Sequence, residues 1–539
     1  MSKTSVDIVF VMPSMAPEMR QESIGTLILA KKAVNNHYKV AIVRFWEASN
    51  KNYNMFADDI CQRIFQHNPT IVSFYCRASE YHILLDIAQR IKNYSPQTTI
   101  VFGGPQAELA AEDTLNLFPC VDYICCGEGE NTIVPLLKMI LHKNVDITKQ
   151  TIPGLVYRNS LLHVTKNILP DLLPDNYKRK YLYYDLIPEN VIRSSKSVTI
   201  DVGRGCPFSC TFCSTKTFWK QKYRLRDIDD TIFEIEYVNK HNRNILFSFS
   251  HDLFTVNKKR VIEFCDKILA LNKGIKWTCS ARIDCIDKYL IEKMSSAGLV
   301  GIYYGIETGS ERMQKKINKN LSIEQCIEMV RTTIKNNISV TASFIYGFPD
   351  ENYDDLNKTL ELIHILMQIG ANVQLHCLTF EKGSKIFEEY KNDLTYSTIE
   401  QQTVFGANEL SDEIQQYPSI YSTFWNYKTQ LRTEMKYLHT VHAIGREYPE
   451  TYIMLISILT GKGLKHVEAY KQIIGNIQDS LIRFEKNNVE INKSICYFLF
   501  EKLLSRLSMQ RGYDVQINDN ELTKLQSSLA LNNMLYNKV

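Results

Sequence analysis

The sequence lacks an excess of charge of either sign. Its 63 Lys and Arg against 59 Asp and Glu leave a formal net charge of +4 over 539 residues, too little for a nucleic-acid footprint or a polybasic membrane patch. It also lacks an apolar run of the roughly 18 residues that a membrane span requires; the nearest approach, Tyr452 to Leu459, is too short. The polar start, Met1 to Asp7, leads directly into a short apolar run and does not read as a secretory h-region, so a cytoplasmic protein is expected. The 14 cysteines follow no regular framework, which in a reducing compartment excludes a disulfide scaffold. No internal repeat, low-complexity tract or peptide-recognition motif is visible. What is there, 45% apolar and 23% charged residues, is the composition of a soluble globular chain of about two to four domains.

The most informative segment is GRGCPFSCTFCSTKTFWKQKYR, from Gly203 to Arg224, in which Cys206, Cys210 and Cys213 stand in a CxxxCxxC frame. Three thiolates hold three irons of a 4Fe-4S cluster and leave the fourth iron without a protein ligand. A structural zinc site needs a fourth ligand nearby, and no Cys or His follows Cys213 until His241. The segment resembles the cysteine loop of radical S-adenosylmethionine (SAM) enzymes. That resemblance implies that SAM chelates the open iron and is cleaved reductively to a 5'-deoxyadenosyl radical, with Phe212 placed against its adenine.

The expected fold is α/β in three parts. In residues 1–150, apolar runs at Asp7–Met12, Lys39–Phe45, Thr70–Tyr75, Thr99–Phe102 and Tyr123–Cys126 alternate with amphipathic stretches, the pattern of a doubly wound, Rossmann-like parallel sheet. Residues 151–195 carry several prolines and read as a surface connector. Residues 196–415 then give six strand-and-helix repeats, with strands at Val198–Val202, Ile245–Phe249, Lys276–Ser280, Gly301–Ile306, Ser339–Gly347 and Val373–Leu378. These match the partial (β/α)6 TIM-type barrel of the radical SAM family, whose active site lies at the carboxyl ends of the strands. Residues 416–539 read as a helical domain, with helical periodicity over Phe424–Val441 and Lys465–Phe484, and an aromatic-rich stretch, Tyr417–Tyr427, that reads as core more readily than as an entrance. Cys496 stands alone there, against an auxiliary cluster.

The segments FGGPQAEL (Phe102–Leu109) and VDYICCGEGENTIVPLL (Val121–Leu137) resemble the cobalamin-binding domain that precedes many radical SAM enzymes. The resemblance implies cobalamin contacts at Ser73, Gly103, Gly104, Pro105, Gln106, Gly127, Glu128 and Gly129, the glycines allowing close backbone approach. The DxHxxG motif that supplies an axial histidine in some cobalamin proteins is absent from Met12–Gly25, and Gln106 stands where relatives often carry His. Cobalamin is therefore expected without a histidine ligand. At the barrel strand ends the same family implies SAM contacts at His251, Asp252, Ser280, Arg282 and Glu307, although His251 reads equally as a packed loop histidine.

Together these resemblances imply a cobalamin-dependent radical SAM C-methyltransferase that acts on an unactivated carbon of a peptide, small-molecule or natural-product substrate. Its electron donor would be of the flavodoxin or ferredoxin kind, and neither nucleic acid nor membrane is an expected partner. Two other readings stay open: a radical SAM enzyme without methyl transfer (epimerisation, oxidation, cyclisation or crosslinking), with a front domain that has lost its cofactor, and a cobalamin- or cluster-binding sensor without turnover.

Overall fold

The computed structural model describes residues 5–13, 23–45, 52–142, 149–179, 182–187, 189–397, 405–486, 493–509 and 517–536. The first sheet contains β1 (Ile8–Pro13), β2 (Val40–Phe45), β3 (Ile71–Tyr75), β4 (Thr99–Gly103), β5 (Tyr123–Cys125), β6 (Leu155–Arg158) and β7 (Val164–Lys166), in the order β2-β1-β3-β4-β5-β6-β7. Its first five strands are parallel. Both faces are buried, as a parallel sheet requires: Val9 and Val11 enter one core while Ile8 and Phe10 enter the other. Strand order reverses at β1, the switch point beyond which ligands bind in doubly wound sheets.

Residues expected as a connector extend this sheet. The hairpin β6–β7 joins antiparallel to β5, and Tyr177, Arg179, Tyr183 and Tyr184 are buried beside the next domain. Arg179 and Arg226 share the fully buried carboxylate of Glu234, and Tyr184 donates to it at 2.7 Å. Proline-rich composition hides these contacts, because it reports turns and says nothing of charge partners contributed from elsewhere.

The second sheet holds six parallel strands, β8 (Ser197–Asp201), β11 (Leu246–Ser250), β12 (Lys276–Ala281), β13 (Leu299–Glu307), β14 (Ser339–Tyr346) and β15 (Asn372–Cys377). They follow one another in chain order from β8 to β15 without the two ends pairing, which makes a partial barrel. Between β8 and β11, the short strands β9 (Gly203–Arg204) and β10 (Arg224–Leu225) pair antiparallel and pinch the base of the cysteine loop. The helix side of the barrel is filled by Phe249, stacked on Trp277 at 4.9 Å, with Phe254 and Phe264 edge-on. The C-terminal helix Leu438–Glu447 covers β15, where His442 bonds the Val373 carbonyl at 3.0 Å.

The helix expected over Phe424–Val441 is broken. Trp425–Tyr427 forms strand β17, paired with β16 (Leu394–Tyr396) and held by a Tyr396–Trp425 ring contact, and helices follow only at Gln430–Glu434 and Leu438–Glu447. Aromatic cross-strand pairing outweighs the helical spacing here. The aromatic stretch before it packs as core: Ile420, Tyr421 and Phe424 are buried in the first domain. Among the described residues, no helix is long and apolar enough to cross a membrane.

Candidate active site

The carboxyl ends of the two parallel sheets open on one cavity of about 840 Å³. Tyr75 at the end of β3, with Ser73 two residues before it, Gly103 at the end of β4 and Cys125 at the end of β5 line it from one side; Asp201, Ser250, Ala281 and Glu307, at the ends of four barrel strands, line it from the other.

Cys206, Cys210 and Cys213 all face this cavity. Their loop leaves β9 through Gly205, whose φ of 83° and position against the Lys222 carbonyl, 2.0 Å from where a Cβ would stand, admit no side chain. It is tied down by Thr211 N donating to the Ile317 carbonyl at 3.0 Å and Ile386 N donating to the Thr211 carbonyl at 2.9 Å. Asn318 Nδ2 donates to Ser209 Oγ at 2.9 Å, and Ser214 Oγ to Glu381 at 2.8 Å. Burial pushes the Cys206 thiol up to about 12 and raises that of Cys213, so thiolates here require a bound cation to hold them. Among the described residues, no three His, Cys, Asp or Glu side chains converge as a single metal ion demands. Three cysteines that each serve a different iron need not converge, and the set fits a cluster with one open iron.

The remaining barrel residues surround this loop. His251 is buried; its Nε2 bonds the Gly205 carbonyl at 3.1 Å and its Nδ1 has no protein partner. Burial lowers its pKa to about 4, so the ring is neutral, and with the proton on Nε2 its Nδ1 is an acceptor. Asp252 keeps accessible surface inside the cavity, yet the protein packed around it raises its carboxyl. Arg282 is bidentate to Asp284 at 2.8 and 3.1 Å, lies 3.7 Å from Cys210 Sγ and covers the Phe208 ring at 4.0 Å. Glu307 pairs with Lys319 at 2.6 Å on a left-handed backbone (φ 72°), where the strand register slips between Gly305 and Glu307; a non-glycine residue held there marks a constrained site. Phe212 sits edge-on to Phe348, with Ser280 also on the cavity wall.

On the first domain, Gly103, Gly104, Pro105, Gly127, Glu128 and Gly129 border the cavity, but Gln106 does not: it is buried and donates to the Ile420 carbonyl at 2.8 Å. The identity of Gly104 is set by backbone more than by ligand access, since its φ is 101° and a Cβ would lie 2.9 Å from the Cys76 carbonyl. Glu128, with a side chain 3% exposed, is paired with Arg204 at 2.8 Å and Arg224 at 2.9 Å, while Arg204 also reaches Glu130 at 2.6 Å. This carboxylate therefore joins the loop after β5 to both arms of the cysteine loop. Residues 14–22, which hold most of the histidine-free loop, lie outside the described residues.

Sequence reasoning missed Lys319, Arg204, Arg224 and Tyr303. Arg204 and Arg224 lie inside the quoted cysteine segment, where burial of GEGE would have demanded cationic partners; nothing in sequence couples Lys319 to Glu307 across their loop.

The radical SAM superfamily model matches residues 200–363, and the B12 binding domain model matches residues 17–137. The chain joins a B12-binding domain to a radical SAM domain. The two domains imply SAM, a 4Fe-4S cluster and cobalamin as cofactors, consistent with the thiols and glycine-rich turns that face each other across the cavity. An uncharacterized methyltransferase of Pyrococcus horikoshii is 30% identical over 317 residues, covering 56% of this chain and 66% of the relative. An anaerobic magnesium-protoporphyrin IX monomethyl ester cyclase of Cereibacter sphaeroides is 27% identical over 320 residues, covering 57% and 51%. The chain thus spans less than two thirds of either relative. Among solved structures, the cobalamin-dependent SAM radical enzyme OxsB with aqua-cobalamin bound aligns with a TM-score of 0.61 at 15% identity, over 98% of this chain and 84% of that one; at that identity the likeness concerns the fold.

Proposed function

We propose that this protein is a cobalamin-dependent radical SAM methyltransferase that methylates an unactivated carbon of a small-molecule or peptide substrate. The observation that carries the reading is the shared cavity: three cysteines on the barrel side and the strand-end turns of the B12-binding domain open on one space. When bound, the cluster and SAM supply a radical able to remove a hydrogen atom from carbon, and cobalt supplies a methyl group. The chain's own part is positioning. Cys206, Cys210 and Cys213 hold the cluster, while neutral His251 offers an acceptor and Asp252 a carboxylate beside it. Arg282, locked by Asp284, and the Glu307–Lys319 pair present fixed charges for SAM at the strand ends, with Ser280 between them. Glu128 sets the distance between the two cofactor platforms through Arg204 and Arg224. An electron donor of flavodoxin or ferredoxin type would supply the reducing electron.

The cyclase among the relatives favours a second reading, ring formation without net methylation. Trideuteromethyl SAM separates the two: reconstituted protein with reductant and a cell metabolite extract as methyl acceptor should yield 5'-deoxyadenosine and S-adenosylhomocysteine, with the label in a product. 5'-Deoxyadenosine without S-adenosylhomocysteine or labelled product would contradict methyl transfer.

A further inference from the structure

The inner face of the partial barrel differs from that of a filled one. Strand register sets Thr199 beside Ser248, Ser248 beside Thr278 and Thr278 beside Gly301. One layer nearer the carboxyl ends, Asp201 neighbours Ser250, and Ser280 neighbours Tyr303, which in turn neighbours Thr341. The next layer joins Gly305, Ser343 and Gln374. The alternate positions, among them Ile200, Phe247, Trp277, Ile302 and Val373, point outward and are buried under the helices.

In closed (β/α)8 barrels such inward layers are packed with bulky Val, Ile and Leu. Here they are hydroxyls, an amide, glycines and the carboxylate of Asp201, too small to fill the lumen, and the cavity accordingly runs down to Thr199, Ser248 and Ser280. Thr199 Oγ1 is buried without a protein hydrogen-bond partner, a condition native folds rarely leave unmet. The charges around this floor neutralise one another: Glu307 with Lys319, Arg282 with Asp284, and Asp201 with Arg179 and Arg204. Tyr303, 37% exposed, is a large inward group on the cavity wall, its phenol bonded to Ser343. Below the strand-end charges assigned to SAM, an ionic ligand would find no unpaired charge among the described floor residues, Asp201 being held by Arg179 and Arg204, and an apolar aromatic one would strip water from the hydroxyls without replacing its bonds.

We infer that the lumen is the substrate site of the enzyme proposed above, that it takes an uncharged, polyhydroxylated compound of the glycoside class, and that Tyr303 is its specificity-determining residue. Hydroxyls that both donate and accept match the edge of a sugar, and Tyr303, projecting between Ser280 and Thr341, decides which face of it enters. The inference rests on the radical-enzyme reading, and one preparation tests both separately.

Equilibrium dialysis on the reconstituted, unreduced full chain saturated with SAM would use methyl glucoside, uridine and indole as probes. Saturable binding of methyl glucoside or uridine, at least tenfold tighter than that of indole, is expected. Tyr303→Phe, which keeps the ring, should weaken it about three- to tenfold, the loss of one neutral hydrogen bond; Ser248→Ala, at a half-buried hydroxyl on the cavity wall, should do the same. Indole binding as tightly as the polar probes, no saturable polar binding, or polar binding indifferent to both substitutions would overturn the inference. Reduction of the same sample reads the other claim: no 5'-deoxyadenosine alongside intact polar binding refutes the radical chemistry and leaves the lumen assignment supported.

Discussion

Glu128 gives the sharpest energetic prediction. Its carboxylate is 3% exposed and accepts from Arg224, itself 6% exposed, and from Arg204, 12% exposed, as well as from the Leu173 amide. Glu128→Ala leaves Arg204 its bonds to Glu130 and its contact with Asp201, but leaves Arg224 only the Leu173 carbonyl and the face of Trp219; two further nitrogens of Arg224 are already buried without a protein partner. Breaking a buried ion pair from one side costs about 3–5 kcal/mol, most of it the charge left behind. Hydrogen exchange of the segments that meet here, 123–135 and 199–226, should accelerate by about 100- to 3,000-fold. The cost resides in the stranded guanidinium, so Glu128→Ala with Arg224→Met should exchange more slowly than Glu128→Ala alone. An acceleration below about fivefold, or a double variant worse than the single, would refute the reasoning.

Three further outcomes are expected. Cys206→Ala, Cys210→Ala or Cys213→Ala should each abolish iron-dependent colour and SAM cleavage, whereas Cys265→Ala and Cys496→Ala, whose thiols are buried in the apolar core, should leave iron content unchanged. Glu307→Gln strands Lys319 and should weaken SAM binding by at least tenfold in calorimetry; unchanged affinity would remove Glu307 from the SAM site. Burial holds His82 and His442 at about 4 against an ordinary 6.5. Both favour the neutral ring in the fold, so their contribution is fully present above pH 6.5 and drains as pH falls through 4, up to about 3 kcal/mol each. Melting temperature against pH should fall steeply in that window and less steeply in His442→Asn; equal slopes would contradict this.

The parallel strands of both sheets were legible because β-branched and aromatic runs bounded by polar strand ends carry their own signal, whereas the antiparallel hairpin β6–β7 was not, and the cysteine loop stood out by its spacing. Residues whose role depends on a distant partner were not. Glu128 reads as part of a cofactor turn until Arg204 and Arg224 are brought to it, and Gln106 reads as a ligand-side residue until Ile420, more than three hundred positions on, claims its amide. The stretch 151–195 looked like a connector because its prolines mask the buried Arg179–Glu234 pairing, and Phe424–Val441 looked helical because period alone does not register the cross-strand Tyr396–Trp425 contact. The polar barrel floor was present in the strand sequences but needed the observed register to decide which alternate residues face inward.

Anaerobic expression with cobalamin supplied, followed by iron and cobalt analysis and an ultraviolet-visible spectrum of the purified full chain, tests the central claim most directly. About four irons and one cobalt per chain, with the iron lost and the cobalt kept in Cys206→Ala, is the result predicted by two cofactor platforms facing one cavity. Iron without cobalt after reconstitution, or a full iron complement in Cys206→Ala, would contradict it.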